Sequence, residues 1–107
     1  MRNGSQDVVG LLPPRGLTDG ERELLRQWTS LVAGKLFAYL SQRRRDSPAT
    51  FGRIVVTRHD ARLPMYLVYC PAGTSFWVMT AAADGAEVGR FPTLRAALNC
   101  IHKVLPT

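Results

Sequence analysis

Apolar and polar positions divide the chain into two regimes with different periods. From Leu24 onward, Leu25, Trp28, Leu31, Val32, Leu36, Tyr39 and Leu40 recur at steps of three and four. That is the 3.6-residue spacing of an amphipathic helix. Thr18-Asp19-Gly20-Glu21 has the form of a capping box, with Thr at the N-cap and Glu three residues later. Acidic Asp19, Glu21 and Glu23 suit the positive start of a helix, and Arg43-Arg44-Arg45 its negative end. Asp46-Ser47-Pro48 supplies a stop. The pattern predicts one long helix over residues 18–45, kinked or closely packed at Gly34. Trp28, Leu31, Val32, Leu36 and Leu40 are its expected buried stripe.

Beyond Pro48 the period shortens to two. Residues 50–58, centred on Ile54-Val55-Val56-Thr57, and residues 63–70, 75–81 and 86–91 read as strands. Polar and Gly- or Pro-containing turns separate them, the last holding the hairpin pair Asp84-Gly85. Thr93 then caps a final helix with Leu94, Ala97, Leu98, Ile101 and Leu105 on one face, stopped by Pro106. Short turns make neighbouring strands antiparallel. The expected architecture is a two-layer α+β domain over residues 18–107: a long N-terminal helix, a four-stranded antiparallel meander sheet and a C-terminal helix. Residues 1–17 read as a flexible tail whose apolar patch, Val8 to Leu12, docks on the body or adds an edge strand.

Both faces of the middle strands are apolar. Met65, Leu67 and Tyr69 oppose Tyr66, Val68 and Cys70, and Phe76 and Val78 oppose Trp77 and Met79. A sheet with one wet face alternates apolar and polar residues. Either the two helices take one face each, or both share one face and leave the other to a partner. The second arrangement predicts a homodimer.

Composition narrows the partner. The 107 residues carry a net charge of +6, and 12 of the 14 basic residues are Arg. Arginine's planar fork suits phosphate and carboxylate, so an anionic partner is expected. Candidate nucleic-acid contacts are Arg43, Arg44, Arg45, Arg53, Arg58 and Arg62. Tyr66, Tyr69 and Trp77 are candidate interface residues able to stack bases. Catalysis has little support. His59, Cys70, Cys100 and His102 lack metal-ligand spacing, and a Cys70–His59–Asp60 system has no feature to activate the thiol. Both cysteines are expected as buried free thiols. No cofactor motif is present, and no stretch approaches a membrane span or a secretory leader. A cytoplasmic setting without a membrane partner is the expectation.

Trp77-Val78, Gly89-Arg90-Phe91-Pro92-Thr93 and Ala96-Ala97 together resemble the last hairpin and helix of plant ethylene-response-type DNA-binding domains. That resemblance implies a three-stranded sheet packed on a helix, with strand arginines reading the major groove. The second strand here, Met65-Tyr66-Leu67-Val68-Tyr69, carries no arginine. The helix–sheet–helix order is also similar to double-stranded-RNA-binding domains, whose basic helix start is reduced here to Arg95. The resulting expectation is a small non-catalytic protein binding nucleic acid, as a homodimer. The alternative is a protein-interaction module that docks a partner on an apolar sheet or helix face.

Overall fold

A computed structural model describes residues 13–41, 50–61 and 63–106. Helix α1 spans Asp19–Leu31 and helix α2 spans Leu94–Ile101. Between them lie β1 (Leu36–Leu40), β2 (Ile54–Arg58), β3 (Pro64–Tyr69), β4 (Trp77–Ala81) and β5 (Glu87–Phe91). The five strands form one antiparallel sheet in sequence order. The α+β class and the meander stand as expected; the strand count and the length of the first helix do not.

The correction falls at Leu31. The helix begins where its capping box predicts, with Thr18 and Glu21 exchanging both reciprocal hydrogen bonds. It ends at Leu31, and Gly34 takes φ 93°, a left-handed conformation that other residues rarely adopt. Residues 36–40 then run as a strand. The helical reading failed because Leu36 and Leu40, four apart, share a face in a helix and in a strand alike. The residues between them decide: Ala38 is buried while Phe37 and Tyr39 are exposed, alternation that a helix does not produce. Leu31, expected in the core, is 57% exposed.

The other strands fall within the spans that alternation predicts. Leu67 pairs with Val55 on one side and Thr80 on the other. Thr93 caps α2 by accepting from the Ala96 amide at 3.1 Å. This helix stops at Ile101 rather than at Pro106, and Leu105 reaches the core from the segment beyond it. Cys70 is buried, but Cys100 lies on the outer side of α2 and is exposed, against expectation.

Both helices share one face of the sheet. Leu25, Trp28 and Val32 join Leu94, Ala97 and Leu98 in a single core with Ala38, Ile54, Val56, Val68, Trp77 and Met79. Trp28 is fully buried and its Nε1–H donates to the His102 carbonyl at 3.0 Å, which ties α1 to the end of α2. As the resemblance implied, α2 packs on β4 and β5, but α1 and two further strands extend the sheet beyond a three-stranded unit.

Residues 13–17, the described end of the expected tail, lie against the body. The Arg15 amide donates to the Cys70 carbonyl at 2.7 Å and the Ala72 amide to the Pro13 carbonyl at 2.8 Å. A Cβ on Gly52 would meet Pro14 Cγ at 2.9 Å, so only glycine admits this close approach. Residues 1–12 are outside the described residues.

Candidate functional site

The basic residues that the sequence singles out do not gather. Arg43, Arg44, Arg45 and Arg62 lie outside the described residues. Arg53 immediately precedes β2 and Arg58 ends it and, five residues apart, they lie on opposite faces of the sheet. Arg53 stacks over the Tyr69 ring, 4.5 Å from its centroid, on the face away from the helices. Arg58 is exposed beside Asp60, 3.4 Å away. Of the candidate stacking residues, Tyr66 and Trp77 belong to the helix-side core, and Trp77 is buried. Tyr69 is on the far face and 5% exposed.

The far face carries no described helix, yet its centre is closed to solvent. Val55, Leu67, Tyr69 and Val78 are all buried within the single chain. Arg53 over Tyr69 and Arg90 over Phe76, 5.2 Å from the centroid, contribute to that cover. The exposed aromatics of this face are Phe37 and Tyr39 on β1, with ring centroids 5.7 Å apart.

Several cations are engaged by carboxylates. Arg15 holds Glu21 through two bonds of 3.0 Å and lies over the Trp77 ring at 5.4 Å. The Arg15 guanidinium holds the Glu21 carboxyl below the usual carboxylate range, and Arg26 does the same for Glu23. Arg90 pairs with Glu87 at 2.9 Å. Among the described residues, Arg22 and Lys35 have no carboxylate partner.

The strand that the sequence hides borders an open groove. β1 is at the margin of the sheet and pairs only with β2 among the described residues. His59 donates to the Lys35 carbonyl at 3.0 Å and Ser41 to the Arg53 carbonyl at 2.9 Å. Antiparallel ladders alternate bonded and non-bonded pairs. The bonded pairs are therefore Phe37 with Thr57 and Tyr39 with Val55. The backbone N–H and C=O groups of Ala38 and Leu40 point the other way, out of the sheet.

Beside that edge, on the helix side, runs a groove of about 660 Å³. Leu36, Ala38 and Leu40 form one wall, and Leu25 and Thr29 of α1, with Ala33 just past its end, the other. Arg22 and Arg26, one helical turn apart, and His59 stand at its rim. No carboxylate lines it among the described residues. Compared with protein-family models, curated proteins and solved structures, the chain matches none.

The groove does not join the chemistry-bearing residues. His59 follows β2, whereas Cys70 follows β3, its antiparallel neighbour, so they stand at opposite ends of the sheet, roughly 23 Å apart along the strands. Among the described residues no cluster of three or more His, Cys, Asp or Glu side chains has metal-binding geometry. No described helix is long and apolar enough to cross a membrane. Sequence reading missed Ala38, Leu40, Arg22 and Arg26 because it placed residues 36–40 in the helix. Gly34, a poor helix former, and the aromatic pair Phe37 and Tyr39 were the available signal.

Proposed function

We propose that the chain is a non-catalytic protein-interaction module that works by strand addition, taking an extended segment of another polypeptide on the outer edge of β1. One observation carries this reading: the outward N–H and C=O groups of Ala38 and Leu40 border an apolar groove. Backbone groups at a sheet margin template a further strand, and pockets for alternate side chains give selectivity. The opposite margin differs. β5 carries the Glu87–Arg90 ion pair and an irregular register at Met79/Thr80, both devices that discourage pairing. β1 reads Leu-Phe-Ala-Tyr-Leu, with neither charge nor proline.

Selection from a displayed library of random peptides tests the reading. Sequences with alternating apolar residues are expected to enrich on the wild-type protein and not on Ala38→Pro. Proline there removes the outward N–H and leaves the ladder to β2 in place. Enrichment that Ala38→Pro retains overturns strand addition.

Nucleic-acid binding is the second reading, and the basic excess together with Arg53 and Arg90 on the far face favours it. The separation of Arg53 from Arg58 and the burial of Trp77 give it less support. Anisotropy titrations with DNA and RNA oligomers at two salt concentrations test it. Phosphate contacts by Arg43, Arg44 and Arg45 make the salt dependence shallower by about one unit per arginine replaced with alanine. Wild-type protein that binds no oligomer at low salt overturns it.

A further inference from the structure

We infer that the segment added to β1 turns a mixed face toward the helix side: aliphatic side chains enter the groove under α1, and carboxylates on that same face, two residues along, meet Arg22 and Arg26. The inference rests on strand addition at β1. A strand laid along Ala38 and Leu40 turns every second side chain toward the helix side. The wall it meets there is Leu25, Leu36, Ala38 and Leu40, and the volume of about 660 Å³ has room for aliphatic chains. Above that wall the charge is of one sign. Arg22 has no carboxylate partner among the described residues, Arg26 has Glu23 alone, and no acidic side chain lines the groove. Complementary charge at a rim selects partners and steers their approach.

A second copy of this chain fits less well. β1 paired with itself about Ala38 matches Leu36 to Leu40 and Phe37 to Tyr39. It also brings two α1 helices to the same seam, each presenting Arg22 and Arg26 to its copy. Like charges across an interface disfavour it. A polypeptide with carboxylates at those points removes the conflict.

Three fluorescent peptides of roughly six residues test the inference by anisotropy, each with Ser at every second position and, on the other face, Leu with Glu, Leu with Lys, or Ser with Glu. The Leu–Glu peptide is expected to bind about tenfold more tightly than the Leu–Lys peptide, a gap that added salt narrows. The Ser–Glu peptide is expected to lose binding. Arg22→Glu with Arg26→Glu should invert the charge preference; both positions are exposed on α1, and glutamate is a good helix former. Ala38→Pro should abolish binding of every peptide, with circular dichroism confirming that both variants stay folded.

Equal binding of the Leu–Glu and Leu–Lys peptides, lost in Ala38→Pro, overturns the acidic partner and leaves strand addition standing. No binding by any peptide, or binding that Ala38→Pro retains, overturns both. Sedimentation at twice the 11.9 kDa chain mass, reduced to one by Ala38→Pro, assigns the edge to a second copy and overturns the acidic partner.

Discussion

At the scale of single residues, Trp28 carries the most. The sequence placed it on the apolar stripe, and it is fully buried where α1, α2 and the sheet meet. Its Nε1–H also satisfies the His102 carbonyl, just past the end of α2. Trp28→Ala removes a large core side chain and leaves that carbonyl without its donor. A loss of ~3–5 kcal/mol is expected in a denaturant melt. Trp28→Phe keeps most of the packing and loses the hydrogen bond, so its cost should be smaller, about 1–3 kcal/mol. The two caps, Thr18 and Thr93, were equally legible, because a hydroxyl accepting from an amide three residues ahead is a local interaction.

At the scale of elements, Gly34 separates two readings of the same stretch. In a continuous helix, Gly34→Ala would stabilise the protein by about 1 kcal/mol, since glycine is a poor helix former. In the structure Gly34 sits at φ 93° with open space around it. Alanine there pays the left-handed penalty, and a destabilisation of about 1–2 kcal/mol is expected. The sign of the change in a urea melt therefore distinguishes a helix from a helix followed by β1. The same turn creates the candidate site, because without it no edge strand and no groove exist. Residues 36–40 satisfied both periods, and Gly34 together with the strand-favouring aromatics Phe37 and Tyr39 was the local sign of the strand.

At the scale of the whole molecule, Arg15 fastens the segment before α1 to the body. It bonds Glu21 through two contacts, lies over Trp77, and its amide meets Cys70. The bonds from Arg15 hold the Glu21 carboxyl below its ordinary range. A lowered carboxyl contributes stability above the unfolded value, ~4.3, and loses it as the pH falls through the folded value. Thermal melts from about pH 5 downward should show a loss of midpoint that is shallower in Glu21→Gln. A wild-type slope unchanged by Glu21→Gln means that the Arg15–Glu21 pair contributes nothing to acid sensitivity. The argument for a homodimer also changes at this scale. Both helices share one face, yet the centre of the other face is already buried within the chain, so a second copy is not needed to cover it.

The sequence by itself determined what short-range physics controls: the capping box, the turn residues, the alternation of β2 to β5, and the apolar face of α2. These depend on neighbours within a few positions. The tertiary structure decided which period residues 36–40 obey, since Leu36 and Leu40 face the core either way. Pairing of Ala38 with Val56 and of Tyr39 with Val55 joins residues far apart in the chain, and that ladder selects the strand. It decided the helices' shared face, because apolar residues on both sides of a strand do not say which side a helix covers. It also parted Arg53 from Arg58, close in sequence and set on opposite faces by the pleat. The groove beside β1 belongs to the same class of feature: it is a space between α1 and a sheet margin, and no run of residues encodes it.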